Sequence, residues 1–408
     1  MAYTVGVVGL GKLGTPLALL IADAGHIVYG IDLDIKRVRD LSNKQVLDPE
    51  PGVREILGKP NLQIEFATDF RAIELVDLVY VIVPTPSLES GHFSNEYLIS
   101  ALREIGKTMG KNSEEQLVVV VSTVMPGSTS TVLKDALYSN IPNAHQSKKK
   151  LIYSPEFIAL GSVVRNLQYP DIVLVGSDSR DDASSHLAVT LSLSKNSPEV
   201  KVLTVKEAEL VKLAINTYVT MKISFANFIG EISRSVEGID ASKVCEAIGQ
   251  DSRIGAKYLS PGLGFGGPCF PRDNRAFSEF ASSINLNADL AIATESINRR
   301  LPANISSWIK NEYPDKKRIA ILGITYKENS EVIEESQSII IANQLDQLGY
   351  LVLVHDPLLN KKPINLGHMI KFTNDLSDIY ECDLALKTIN WDPYSKIDSQ
   401  LIDVVNLR

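Results

Sequence analysis

The sequence predicts an α/β protein with two Rossmann-like, doubly wound parallel-sheet domains joined by a long central helix and a helical middle region. Strand-like runs alternate with helical patterns through the first half, a long unbroken amphipathic stretch fills the middle, and the alternation resumes after residue 313. β-branched strands alternating with helices imply parallel sheets covered on both faces. A chain of 408 residues is too long for one ordinary core, and the expected divisions are 1–200, 201–312 and 313–408.

In order, the first domain carries strands at Val5–Gly9, Ile27–Ile31, Leu78–Val83, Leu117–Ser122 and Leu151–Ser154, with a helix from about Lys12 to Ala24, and closes near the polar segment Ser192–Val200. The stretch from Lys206 to Glu237 contains no proline and reads as one helix, followed by shorter helical patterns through Gly249. Its length suggests a spine between domains and a face for self-association. The second α/β unit begins after Tyr313–Arg318, with strands at Ile319–Ile324, Leu351–His355, Leu384–Ile389 and Leu401–Val405 and a helix near Ser336–Leu348.

Composition narrows the function. The net charge of −8 argues against a nucleic-acid partner, and the run Lys148–Lys150 reads as a solvated loop. No apolar stretch approaches the ~20 residues that span a bilayer, and no secretory leader is evident. Cys245, Cys269 and Cys382 are odd in number and widely spaced, which suits neither a disulfide framework nor a metal site. A reducing cytosol is the expected compartment.

Gly9-Leu10-Gly11-Lys12-Leu13-Gly14 follows the first strand and opens the first helix, the setting a dinucleotide fingerprint requires. Gly9 permits the tight turn, Gly11 lets backbone approach a pyrophosphate, and Gly14 lets helix pack on strand. Asp32 ends the second strand, placed to accept hydrogen bonds from adenosine ribose hydroxyls, which favours NAD over NADP. Arg37 lies in the segment that follows it. Val83-Pro84-Thr85-Pro86 and Ser122-Thr123 through Gly127 end further strands on the same side, with hydroxyls expected to face the cofactor.

Gly264-Phe265-Gly266-Gly267-Pro268-Cys269-Phe270-Pro271-Arg272-Asp273 is the most unusual segment. Its glycines bring backbone close to a ligand just before a cysteine, and Pro271 places Cys269 near a helix N-terminus, where thiolate is favoured. Lys212 and Asn216 are four apart on the middle helix and share a face, a cation and an amide able to stabilise an oxyanion.

Together with Ser154-Pro155-Glu156-Phe157, Ala208–Asn216, Arg253–Asp273 and Leu322–Lys327, these segments resemble the UDP-glucose/GDP-mannose dehydrogenase family, in order and over nearly the whole chain. The resemblance implies a four-electron oxidation of a sugar-nucleotide primary alcohol with two NAD per turnover. It implies Cys269 as nucleophile, Lys212 and Asn216 as oxyanion donors, Asp273 and Thr123 to place water or relay protons, and Glu156 as base. Substrate contacts would include Phe157, Tyr258, Gly266, Lys327 and Arg408, with Arg253 reaching the sugar nucleotide of a neighbouring subunit in a homodimer formed through the central helix.

Two departures from the family pattern stand out: Leu160 occupies the place of a second glutamate, and Glu334 that of an arginine before Glu335-Ser336. UDP-glucose is the expected substrate, with UDP-N-acetylhexosamine and GDP-mannose as alternatives. A two-electron hydroxyacid-type dehydrogenase and a catalytically impaired sugar-nucleotide-binding relative are the competing classes.

Overall fold

A computed structural model describes residues 2–46 and 50–407, so Arg408 falls outside the described residues. The chain divides into two compact units, Met1–Leu213 and Ala214–Arg408. The division falls inside the single helix Val205–Ser235.

The first unit is built on eight strands: β1 (Thr4–Val8), β2 (Ile27–Ile31), β3 (Ile64–Ala67), β4 (Leu78–Val81), β5 (Gln116–Val120), β6 (Lys149–Tyr153), β7 (Ile172–Gly176) and β8 (Glu199–Leu203). They lie in the order β3-β2-β1-β4-β5-β6-β7-β8. Every residue of β4 and β5 is buried, as expected where helices cover both faces of a sheet. The ladders are parallel except where β7 meets β6 antiparallel at Tyr153 and Gly176. The sequence reading contains neither β3, β7 nor β8, and so not that reversal; the exposed residues of β8 mask its pairing with β7. Between β1 and β4 the strand order changes direction, and ligands of such sheets bind outside the strand carboxyl ends at that switch.

One expectation is overturned at β6. The Lys148–Lys150 run is not a solvated loop, because Lys149 opens the strand with only 1% exposure. Its Nζ donates to Asn112 Oδ1 at 2.9 Å, Glu114 O at 2.6 Å and Gln116 Oε1 at 2.9 Å. Strand alternation turns the next residue outward, and Lys150 pairs with Asp182 at 3.3 Å. Three acceptors keep the ammonium bonded, while burial pulls its pKa down.

The second unit contains a fully parallel five-stranded sheet, β9 (Arg318–Leu322), β10 (Leu351–His355), β11 (Lys371–Thr373), β12 (Leu384–Lys387) and β13 (Asp403–Asn406), in the order β11-β10-β9-β12-β13. Helices Phe270–Ser283, Asp289–Glu312 and Gln337–Gln347 belong to the same unit. Its core joins Leu301, Ile305 and Ile309 to Ile319, Ile321, Leu345 and Leu384. Among the described residues no helix is long and apolar enough to cross a membrane.

Packing in the first unit is close enough to be tested away from any site. In helix Glu96–Met109, a Cβ on Gly106 would lie 2.0 Å from the carbonyl oxygen of Leu137. Gly106→Ala is expected to destabilise the chain by about 1–3 kcal/mol, read as a lower denaturant midpoint. An unchanged midpoint would show that the two helices move apart without penalty.

Candidate active site

The turn after β1 has the geometry a dinucleotide needs. Gly9 has φ of 94°, and a Cβ on Gly14 would sit 1.8 Å from Gly9 O, so helix Gly14–Asp23 can start here only with glycine at both positions. A Cβ on Gly11 would meet nothing within 4 Å, leaving open space on the ligand side. No side chain caps the helix, so its positive end is available to an anion. Asp32, just beyond β2, accepts from Leu10 N at 2.7 Å and from Asp34 N at 2.9 Å, while Arg37 Nη1 donates to Leu10 O at 2.9 Å. Asp32 and Arg37 are thereby fixed against the turn that carries Lys12 and Leu13.

The loops after β4 and β5 are tied to each other. Ser122 Oγ donates to Val83 O at 2.7 Å and accepts from Val83 N at 3.0 Å, and Thr85 Oγ1 donates to Thr123 O at 2.8 Å. The sequence reading aims these hydroxyls at the cofactor, but the Ser122 and Thr85 protons point at protein carbonyls, which fixes Pro84 and Thr123 in place. Glu209, fully buried on the long helix, closes the far end of the second loop by accepting from Gly127 N at 2.5 Å and Thr129 N at 2.8 Å. Burial pushes its carboxyl pKa up.

Glu156 and Phe157 lie in the loop after β6. Lys212 Nζ donates to the main-chain oxygen of Glu156 at 2.7 Å and stands 4.8 Å from the centre of the Phe157 ring. Desolvation pushes the Glu156 carboxyl up to about 7, and the Lys212 charge opposes only part of that rise. The loop is anchored at both ends. His186 Nε2 lies 3.0 Å from Ser154 Oγ and its Nδ1 lies 3.1 Å from Tyr80 Oη, all buried, and burial holds the imidazole neutral by lowering its pKa to about 4. At the other end Glu50 accepts from Gly161 N at 2.6 Å and Val163 N at 2.7 Å. Leu160 packs against the adjoining apolar core.

In the second unit Asn216 Nδ2 donates to Asp273 Oδ2 at 2.6 Å, and Arg272 Nε donates to Asp273 Oδ1 at 3.1 Å. Asp273, 1% exposed, lies in the first turn of helix Phe270–Ser283, and its amide donates to Cys269 O at 2.8 Å. Cys269 is the exposed N-cap residue of that helix, with Pro271 in the first turn, as the sequence predicts. The preceding glycines are accounted for by protein contacts. Gly264 faces Asn298, where a Cβ would lie 2.1 Å from Oδ1, Gly266 faces the carbonyl of Glu335, and Gly267, with φ of 79°, faces the Tyr326 ring.

The other proposed substrate contacts lie apart from this cluster in their bonding. Arg253 is exposed and pairs with Asp251 at 2.6 Å. Tyr258 has φ of 63° and packs edge-on to Phe270. Lys327 Nζ lies 5.9 Å from the Tyr326 ring. Glu334 uses its carbonyl oxygen to accept from Gly267 N at 2.9 Å. Sequence reasoning missed Glu50, His186 and Glu209. Their signal is weak, since a lone glutamate shows nothing of the backbone amides it serves once the chain is folded, nor a lone histidine of the hydroxyls it meets. Among the described residues no group of three His, Cys, Asp or Glu could hold a metal ion.

Three family models match the chain in order. They describe the NAD binding domain of the UDP-glucose/GDP-mannose dehydrogenase family over residues 3–191, its central domain over 206–300 and its UDP binding domain over 320–406. The chain is 29% identical over 399 residues to a UDP-glucose 6-dehydrogenase of Haloferax volcanii, covering 97% of this chain and 93% of that one. It is 29% identical over 357 residues to a GDP-mannose 6-dehydrogenase of Pseudomonas putida, covering 86% and 80%. Among solved structures it is similar to a UDP-glucose dehydrogenase from the hyperthermophilic archaeon Pyrobaculum islandicum, with a TM-score of 0.91, 30% identity and coverage of 100% and 94%.

The raised carboxyl of Glu156 carries a pH dependence. The unfolded chain ionises it near 4.5 and the folded chain near 7, so the folded state holds the extra proton between those values. Its contribution to stability is therefore fully present below about 4.5 and lost as pH rises to about 7. Glu156→Gln is expected to exceed the parent chain in unfolding free energy by about 1–3 kcal/mol near pH ~8 and by roughly nothing near pH ~4. Denaturant unfolding at the two pH values measures this, and an equal difference at both would mean that the carboxyl is not desolvated.

Proposed function

As the chain belongs to the UDP-glucose/GDP-mannose dehydrogenase family and carries its NAD-binding, central and UDP-binding domains in order, we propose that it oxidises the primary alcohol of UDP-glucose to the carboxylate through a thioester on Cys269. The observation that carries the reading is the exposed Cys269 at the N-cap of helix Phe270–Ser283, one turn before a buried Asp273 held by Asn216. The UDP-glucose 6-dehydrogenase named among the relatives supports the choice of substrate.

The turn Gly9–Gly14, Asp32 and Arg37 would hold the dinucleotide's pyrophosphate and ribose. Bound NAD supplies a hydride acceptor, twice per substrate. The chain's own residues supply the rest. The first oxidation takes the alcohol to the aldehyde, with the alcohol proton released to a base. The Cys269 thiolate, favoured by the helix N-terminus, adds to the aldehyde carbon to form a thiohemiacetal. The Lys212 ammonium and the Asn216 amide stabilise the oxygen that carries negative charge at this stage. Loss of a second hydride leaves the thioester, which one water hydrolyses to carboxylate and thiol. Glu156 accepts the proton of that water, and its raised pKa suits a base working near neutral pH. Thr123 and Asp273 orient the water, and Phe157, Tyr258, Gly266 and Lys327 would contact the sugar nucleotide.

With a panel of sugar nucleotides, close to two NADH are expected per UDP-glucose consumed. Cys269→Ser is expected to abolish acid formation and the covalent adduct that mass analysis detects on the parent protein. Close to one NADH per substrate would favour the two-electron class, and neither adduct nor NADH with any sugar nucleotide would favour a non-catalytic relative. Higher turnover with UDP-N-acetylglucosamine or GDP-mannose would reassign the substrate alone.

Two copies of the chain are proposed to pair through the long helix, which turns apolar side chains outward. Glu209, Asn216, Thr220 and Asn227 are buried, while Leu210, Tyr218, Phe225 and Phe228 are exposed. An outward apolar row on a water-soluble helix calls for a partner, and a self-complementary face is met most simply by a two-fold axis. Sedimentation should give a dimer for the parent chain and a monomer for Phe225→Glu. A parent chain that stays monomeric at high concentration sinks this assignment.

A further inference from the structure

The segment leading to Cys269 has no regular secondary structure between Leu259 and Gly267, yet its backbone is fixed by two asparagine side chains. Asn227 lies on the long helix and Asn298 on helix Asp289–Glu312, and they are 2% and 5% exposed. Each uses both halves of its amide on main chain. Asn227 Oδ1 accepts from Gly262 N at 2.8 Å while its Nδ2 donates to Leu263 O at 3.0 Å. Asn298 Oδ1 accepts from Phe265 N at 2.8 Å while its Nδ2 donates to Phe265 O at 3.0 Å. The orientation of both amides follows from the pairing, since a carbonyl oxygen can only accept.

A third anchor comes two residues before the cysteine, where Gly267 N donates to Glu334 O at 2.9 Å. Gly264 belongs to the same device, because any Cβ there would strike Asn298 Oδ1 at 2.1 Å and push the amide off Phe265. The glycine of the motif and the asparagine thirty-four residues later therefore form one unit. Buried main-chain groups that lose such partners must find water or move.

We propose that Asn227 and Asn298 are positioning residues for Cys269, pinning the Gly262–Gly267 backbone as neighbouring strands would and so fixing the sulfur at the helix N-terminus. Their effect on turnover rests on the thioester reading, whereas their effect on the thiol itself does not.

The full-length protein is tested in three ways. In the parent chain, hydrogen exchange with single-residue resolution should show the amides of Gly262, Phe265 and Gly267 exchanging at least ~10-fold more slowly than exposed loop amides, a measurement that needs no variant. Asn298→Leu removes the clamp and Gly264→Ala displaces it from the opposite side. In either variant, checked for a cooperative unfolding transition and for NADH binding, alkylation of Cys269 by iodoacetamide at neutral pH should slow by about fivefold, with its pH midpoint moved upward. With UDP-glucose, the same variants should release aldehyde that hydroxylamine traps, and NADH per sugar consumed should drop from two towards one.

Exchange of the three amides at exposed-loop rates overturns the proposal. So do folded variants that alkylate at the parent rate and release no aldehyde. Should the variants fail to fold, the exchange measurement decides alone. A parent enzyme that yields one NADH, or forms no adduct on Cys269, fails the thioester reading, and exchange and alkylation still decide whether the two asparagines hold the loop.

Discussion

The fold depends on one unusual demand: helix Val205–Ser235 buries a row of polar side chains alongside Ala208, Leu213 and Ala226, and buried polar atoms cost free energy unless they are bonded. Glu209, Lys212, Asn216, Thr220, Ser224 and Asn227 recur every three or four residues, the spacing of one helical face. Five of them serve other segments, while Thr220 Oγ1 donates to Thr217 O of the same helix. Glu209 accepts from Gly127 and Thr129, Lys212 donates to Glu156 O, Asn216 to Asp273, Ser224 to Thr294 O and Asn227 to Leu263 O. Leaving one such buried group unpaired costs about 1–3 kcal/mol, so the helix prescribes where these loops run. An apolar face of the same shape would bury as well and would place nothing.

That demand explains what the sequence could and could not disclose. The long helix, the turn Gly9–Gly14 with Asp32, and Cys269 at a helix start are all legible, because each rests on local spacing or on a residue type with one strong conformational preference. β2 and β10 fall where the pattern puts them, at Ile27–Ile31 and Leu351–His355. The reversal at β7 is not legible, since the direction of a buried apolar strand depends on the path of its connections and leaves no mark on its own residues. Lys149 shows the same limit from the other side. A lysine in a basic run reads as solvated until Asn112, Glu114 and Gln116, more than thirty residues away, are brought round to receive it.

In the candidate site the proposed reactive groups were legible and their supports were hidden. Cys269, Lys212, Asn216 and Asp273 carry chemistry that their residue types announce. Glu50, His186, Glu209 and Asn298 bond chiefly to main chain or to other supports, and those bonds exist only in the folded molecule. The motif glycines changed meaning as well. Read as close approaches to a ligand, Gly264 and Gly267 turn out to be required by Asn298 and Tyr326. A glycine in a motif thus records that something comes near the backbone and leaves open whether that is substrate or protein.

The departure at Leu160 can be weighed in the same terms. A second carboxylate four residues after Glu156 would raise its pKa by like-charge repulsion, and would also bring another charge that must be solvated. Here Leu160 packs on the apolar core, and the Glu156 carboxyl reaches about 7 through desolvation, with Lys212 pulling the other way. Burial alone therefore does what a carboxylate pair would do for the base. In the proposed reaction the two influences balance on one carboxyl: desolvation favours its neutral form and the Lys212 charge its ionised form. Near neutral pH both forms are therefore present, and the ionised one can accept a proton from water. The anchors at Ser154 and Glu50 hold that loop at both ends, and so would preserve the desolvation on which the balance depends.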